Sequence, residues 1–167
     1  MKNTVEISQD VNNAIAVMRN ASKWMKESGK IVSKWWDLKN LNSKFLLNYA
    51  KPEEFYVALV DSKPAVAAIL QLSQSAQDWK SVDKGKSKSA LYMHWLCVSR
   101  EFAGIGMPKI MVDFAEQHAK QNNVKFLRAD TNADVMKLRK IYENLGFELV
   151  TIEQEDYRRT AFYQKNA

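Results

Sequence analysis

Two glycines, Gly104 and Gly106, stand between an apolar run and an amphipathic one, in a chain that holds only five glycines. The run before them, Leu91-Tyr92-Met93-His94-Trp95-Leu96-Cys97-Val98, is apolar and aromatic, as a mostly buried strand is. After them, Ile110, Met111, Phe114, Ala115 and His118 recur at helical spacing. Strand, glycine turn and helix together aim backbone N–H groups at an anion. Glycine lets the backbone approach the charge, and the helix dipole favours it. Pro108 fits the first turn of that helix, where its missing N–H costs nothing. Taken alone, the same turn also reads as a tight strand-to-helix connection.

The rest of the chain builds outward from this unit. Val5-Glu6-Ile7 reads as a short strand, and Ser8 or Asp10 can cap the helix after it. Val11, Ala14, Ile15, Met18, Ala21 and Met25 form that helix's apolar face, and Gly29 ends it. Trp35, Trp36, Leu38 and Leu41 open a second helical region that runs to about Tyr49, before Pro52. Phe55 to Val60 and Pro64 to Leu72 are strands joined at Asp61-Ser62-Lys63 as a hairpin. Beyond the central unit come a strand from Phe126 to Thr131, a helix from Asp134 to Asn144 and a final strand. This order predicts an α+β fold with a mixed sheet.

Composition narrows the function. A chain of 167 residues is expected to be one domain, residues 1–167, with enough apolar residues for a sizeable core. No apolar run approaches the ~20 residues that span a bilayer, and Met1-Lys2-Asn3-Thr4 opens no secretory segment. The single cysteine, Cys97, has no internal partner, which favours the cytoplasm. The formal charge of +6 suits an anionic ligand, nucleic acid or plain solubility. The lysine-rich loop from Lys80 to Ser89 lacks the aromatic interleaving that stacks bases, so it reads as a mobile acceptor-side or surface loop. No nucleic acid, membrane or metal partner is expected.

Two motifs carry a family resemblance. The segment from Val98 to Pro108 resembles the acyl-CoA pyrophosphate loop of the GNAT superfamily, the acetyl-CoA-dependent N-acyltransferases. The family pattern, Gln/Arg-x-x-Gly-x-Gly/Ala, falls on Ala103, Gly106 and Pro108, with Gly104 and Gly106 the preserved glycines. Ala103 supplies no long polar side chain but keeps its N–H; Pro108 removes one. Further on, the run from Lys137 to Phe147 resembles the family's A-x-x-x-Tyr-x-x-x-Gly-Phe ending. Where the family often has an Asn seven residues before this Tyr, the chain has Val135, with Asn132 one helical turn earlier. The resemblance covers roughly residues 54–147 well and the first helices loosely.

The resemblance implies the GNAT fold, in which the central strand bulges and splays from its parallel neighbour with helices flanking the sheet. It implies acetyl-CoA as co-substrate and direct transfer to a primary amine in a ternary complex. Backbone groups of Leu96, Cys97 and Val98 would hold the pantetheine arm, and one N–H there would face the developing oxyanion. Ala103, Gly104, Ile105, Gly106, Met107, Pro108 and Lys109 would line the phosphates, with Asn132 and Tyr142 completing the cofactor contacts. Lys137, Arg139 and Lys140 flank the same cleft, as phosphate contacts or as solvated lysines and arginine. Tyr142 would protonate the leaving thiolate; periodicity alone reads it as packed with Leu138, Ile141 and Leu145. His94 is the candidate base, on the face of Tyr92, Leu96 and Val98 if strand alternation holds, or else a packed histidine. Glu54 and Asp130 are alternatives acting through water. His118 is given a structural role, and Cys97 reads as a small buried hydrophobe. Trp35 and Trp36 would line the acceptor side, the alternative being that they and Trp24, Trp79 and Trp95 are packing residues.

The resemblance implies a small-molecule or peptide amine as acceptor, and a homodimer is left open. The competing reading is a catalytically weak or inactive acyl-CoA-binding module, kept alive by Ala103, Pro108 and Val135. A basic nucleic-acid-associated protein is a third, motivated by charge alone.

Overall fold

The computed structural model describes residues 3–30, 33–73, 79–85 and 89–167. In chain order the elements are β1 (Val5–Gln9), α1 (Val11–Glu27), α2 (Ser43–Leu46), β2 (Phe55–Val60), β3 (Lys63–Gln71), α3 (Lys80–Asp83), β4 (Ala90–Val98), α4 (Met107–Gln121), β5 (Phe126–Asn132), α5 (Met136–Asn144), β6 (Glu148–Gln154) and β7 (Arg159–Asn166). The strands form one sheet in the order β1-β2-β3-β4-β5-β7-β6. β4 and β5 are parallel; β1–β2, β2–β3, β5–β7 and β6–β7 are antiparallel. The fold is α+β with a mixed sheet, as expected.

The chain divides into two compact units, Met1–Leu70 with Trp95–Met111, and Gln71–His94 with Val112–Ala167. In the first, α1 is built as its sequence dictates. Asp10 caps it by accepting from Asn13 N–H at 2.9 Å. Gly29, at φ +73°, ends it: the N–H groups of Gly29 and Lys30 turn back to the Lys26 and Met25 carbonyls. Its buried face, Ala14, Ile15, Val17, Met18 and Ala21, packs on Leu41, Leu46, Phe55, Val57, Ala67, Ile69 and Cys97. Each large apolar side chain fully buried here contributes roughly 1.5–3 kcal/mol. Asp61 and Ser62 both take positive φ, the turn that matches strand twist in a two-residue hairpin.

The second helical region is not one helix. A 3-10 turn at Lys34–Trp36 is followed by the single α-turn of α2. Short polar side chains divert the backbone between them. Asp37 accepts from Lys39 N–H, and Asn42 caps α2 by accepting from Phe45 N–H. The C-terminal strand is in fact two, β6 and β7, paired as a hairpin.

In the second unit, Trp79, Ala90, Tyr92 and Phe162 form an aromatic core. The buried Arg128 guanidinium makes two hydrogen bonds to the Asp83 carboxylate, at 2.9 and 3.0 Å, and lies 4.1 Å from the Trp79 ring. Gln164 accepts a third bond from Arg128 at 2.8 Å. The start of the lysine-rich loop is therefore anchored through Asp83; its Lys86, Ser87 and Lys88 lie outside the described residues.

Candidate active site

The central strand changes character halfway along. Its parallel ladder with β5 runs from Ala90 opposite Phe126 to Met93 opposite Ala129, whereas β5 pairs with β7 over its full length. Two residues past the ladder, Trp95 takes φ 51°. A bulky L-residue there carries strain of about 1–2 kcal/mol, of the kind held at functional sites. This interrupts the alternation expected of the strand: His94, Trp95 and Leu96 are all half-buried in succession. The Trp95 ring is held in the first unit by Trp35, with centroids 6.2 Å apart, and its Nε1–H points to the Trp35 carbonyl at 3.4 Å. Trp35 also packs edge-on against Tyr49 at 5.2 Å and beside Phe45. Trp36 instead packs against the α1 core, and Ser22 donates to its carbonyl. The two adjacent tryptophans thus have different neighbours, one in an aromatic group with an exposed Tyr49 and the other half-buried against the α1 core. Trp79 is core, and Trp24 stacks beneath the Arg100 guanidinium at 3.9 Å.

Past Val98 the chain is pinned before it reaches the glycines. Ser99 bonds the Ala65 carbonyl through N–H and the Pro64 carbonyl through Oγ, at 2.8 and 2.9 Å. Arg100 N–H donates to Asn20 Oδ1 of α1. A 3-10 turn, Arg100–Phe102, buries Phe102. Gly104 and Gly106 follow at φ +79° and +85°, with Ile105 between them exposed, and α4 begins at the buried Met107. A Cβ built on either glycine meets nothing within 4 Å, so torsion alone demands glycine. The Ala103 N–H, expected to face a ligand, donates to the Arg100 carbonyl at 3.2 Å, and Lys109 N–H to the Gly106 carbonyl at 3.1 Å. Cys97 is in the core, where burial pushes its thiol well above the ordinary range, away from nucleophilic use.

In the second unit, the Tyr-Gly-Phe spacing has a plain physical basis. Gly146, at φ +88°, ends α5; its N–H bonds the Glu143 carbonyl and the Phe147 N–H bonds the Tyr142 carbonyl. This is the two-bond glycine cap, and the apolar contact that accompanies it is Phe147 edge-on to Tyr142 at 5.6 Å. Tyr142 is buried and also stacks on Tyr163 at 5.7 Å, while Leu138 and Ile141 are exposed, so the apolar face expected around Tyr142 is not what packs it. Asn132 turns the chain toward α5, accepting from Asp134 N–H at 3.0 Å. Val135 and Lys137 are exposed. Arg139 donates to the Tyr163 hydroxyl at 3.1 Å.

His94 lies immediately past the β4–β5 ladder, as does Asp130 on the other strand, and their Nδ1 and Oδ1 atoms are 3.9 Å apart. The other Asp130 oxygen accepts a short bond from Arg158. Glu54 closes its own 3-10 turn by accepting from Lys51 N–H. His118 stacks on Phe114, and burial lowers its pKa. Sequence reasoning had no sight of Arg158, nor of the Asp83–Arg128 pair. Both depend on contacts across dozens of residues that no local pattern records.

Residues 18–147 match the acetyltransferase (GNAT) family, and the chain belongs to it. It is an acyltransferase of that family, and its fold is the GNAT fold. It is 24% identical to the uncharacterized N-acetyltransferase YesJ of Bacillus subtilis, over 90% of this chain and 83% of that protein. A GNAT acetyltransferase structure from Listeria monocytogenes matches with a TM-score of 0.71 and 24% identity, covering 99% of this chain and 95% of that one. The PaiA N-acetyltransferase of Thermoplasma acidophilum, solved in complex with coenzyme A, matches with a TM-score of 0.69 and 18% identity, covering 98% and 99%. Among the described residues no helix is long and apolar enough to cross a membrane.

Proposed function

We propose that the protein transfers an acetyl group from acetyl-CoA to a primary amine in a ternary complex. The observation that carries this reading is the glycine turn. Two positive-φ glycines with open space above them lead directly into a 15-residue helix, in a chain of the GNAT family. With Ala103 and Lys109 N–H groups already spent, the pyrophosphate falls to the N–H groups of Gly104, Ile105, Gly106 and Met107. Lys109 and Asn132 add side-chain contacts, and Pro108 shapes the first helical turn. Backbone groups of Leu96, Cys97 and Val98 hold the pantetheine arm and polarise the thioester carbonyl.

In the reaction His94 takes a proton from the acceptor ammonium. The amine nitrogen attacks the thioester carbonyl carbon, the C–S bond breaks, and Tyr142 protonates the departing thiolate. The second proton, shed by the acylated nitrogen, returns to the Tyr142 phenolate through solvent, while His94 releases the first to solvent. Trp35 and the aromatic residues beside it carry the body of the acceptor, with the half-buried Trp36 beside them. The PaiA likeness to a coenzyme A complex supports the choice of cofactor. The cytoplasm is the proposed location.

Thiol release from acetyl-CoA against an amine panel tests the activity. Calorimetric titration with CoA tests the loop. Gly106→Ala, at φ +85°, is expected to cost about 1–2 kcal/mol of stability through torsion and to weaken CoA binding at least ~10-fold, about 1.4 kcal/mol. Gly29→Ala, at φ +73° and equally open, is the control: the same torsional cost with wild-type CoA affinity. Wild-type affinity in Gly106→Ala would remove the phosphate from this turn.

A further inference from the structure

We propose that Asp130 and Arg158 are positioning residues for His94, acting together to set the orientation and the basicity of its imidazole. The inference rests on the reading of His94 as the base. Its geometric ground is where the three groups meet. Met93 and Ala129 are the last opposed pair of the β4–β5 ladder, so His94 and Asp130 are the next residue on each strand, at the point where pairing stops. Their side chains are 14% and 16% exposed, and Arg158 is 22% exposed: sheltered from bulk water but not sealed.

The Nδ1–Oδ1 separation of 3.9 Å is an ion-pair distance, beyond a hydrogen bond. It tightens when the ring becomes charged, which is the moment a base needs support. A carboxylate facing Nδ1 favours the tautomer that carries its proton there and fixes the plane of the ring. Asp130 is ill-suited to be the base itself, because Arg158 holds its second oxygen and stabilises the charged carboxylate. Arg158 is itself fixed, since its Nε donates to Thr160 Oγ1 at 3.1 Å and Thr160 in turn donates to Glu155. The charged groups bearing on His94 from the packed elements include Asp130 on β5 and, through it, Arg158 and Glu155 at the β6–β7 turn. The Asp130 carboxylate is the charge that faces the imidazole, and the Arg158 guanidinium lies behind it with the opposite sign.

The two groups should therefore move the histidine in opposite directions, which a merely structural pair would not do. The chain has only two histidines, so the imidazole C–H signals can be followed by NMR and assigned with His94→Gln. In Asp130→Asn the His94 titration should move to lower pH by ~0.5–1 unit. In Arg158→Gln it should move to higher pH by a similar amount, and Arg158→Lys should restore most of the wild-type value. The acidic limb of kcat/KM should follow each shift. Asp130→Asn should also lower kcat about ten-fold, with the KM for acetyl-CoA unchanged. Shifts in the same direction, or none, would overturn the proposal, and the NMR arm decides this before any acceptor amine is known. If His94→Gln keeps both turnover and the acidic limb, the base assignment itself falls, and this proposal with it. If His94→Gln abolishes the limb while the Asp130 and Arg158 variants leave it in place, the base stands and only the positioning pair is lost.

Discussion

Asp83 and Asp130 both face an arginine in the second unit, and the two pairs are built to opposite ends. Asp83 and Arg128 side chains are 2% and 1% exposed, joined by two parallel hydrogen bonds, with Gln164 and the Tyr92 hydroxyl taking further guanidinium protons. Trp79 covers the guanidinium face. Asp130 and Arg158 are 16% and 22% exposed, joined through one carboxylate oxygen, and the other oxygen looks toward a histidine. A sealed pair, its guanidinium protons taken by the carboxylate, Gln164 and Tyr92, serves to hold the fold. A pair left partly open keeps one carboxylate oxygen facing a third group, the His94 imidazole. The difference lies in the completeness of the hydrogen bonding, since the residue types are the same.

Removing Arg128 should have the largest effect. Arg128→Met keeps an apolar stem but strands the Asp83 carboxylate in a dry site, and breaking a buried pair this way costs about 3–5 kcal/mol. Denaturant unfolding measures it. The double variant Asp83→Leu, Arg128→Met removes the stranded charge and should recover much of the loss. A double variant no better than Arg128→Met would mean that the guanidinium's bonds to Gln164 and Tyr92 matter more than the pair.

Two stacked tyrosines offer a second comparison. The Tyr163 hydroxyl lies between Arg139 and Glu143, at 3.1 and 3.0 Å, whereas Tyr142 is the residue proposed above to protonate the leaving sulfur. Tyr142→Phe keeps the ring contacts with Phe147 and Tyr163. It should lower kcat about 10²-fold, roughly 2.7 kcal/mol in the barrier, and leave CoA binding nearly intact. Tyr163→Phe should cost about 1 kcal/mol of stability and leave kcat alone. Steady-state thiol release on both variants makes the comparison, and equal turnover in Tyr142→Phe and wild type would move the acid elsewhere.

Much of this was legible in the sequence where the controlling physics is local. Asp10 as a cap, Gly29 as a stop, and the run from Leu91 through the glycines to α4 need only near neighbours. So does the spacing of Tyr142, Gly146 and Phe147, which is the signature of one helix cap. The break-up of the region around Leu41 was hidden because Trp35, Leu38 and Leu41 mimic a helical stripe while Asp37 and Asn42 bind the backbone instead. The last two strands read as one because β6 is the sheet's edge: Leu149 and Val150 stay exposed, and Glu148 and Glu153 break the apolar pattern at its two ends. The candidate site was legible only as far as its motifs reach. His94 could be named from its strand, but the approach of Asp130 to it depends on where the ladder ends.

The smallest expected effect completes the comparison. Asp130→Asn keeps the size of the side chain and an oxygen for Arg158, in a place that water reaches. Partly exposed ion pairs typically contribute ~0–1 kcal/mol, so the variant should lose less than about 1 kcal/mol in denaturant unfolding. Arg158 would keep its bond to Thr160, and no buried charge would be stranded. The result separates two ways in which Asp130 could matter to turnover. A small stability loss with a displaced His94 titration means that the carboxylate acts on the imidazole through charge. A loss of 3–5 kcal/mol would instead place this pair in the class of Asp83 and Arg128, and any fall in rate would then follow from a disturbed strand end rather than from the histidine's basicity.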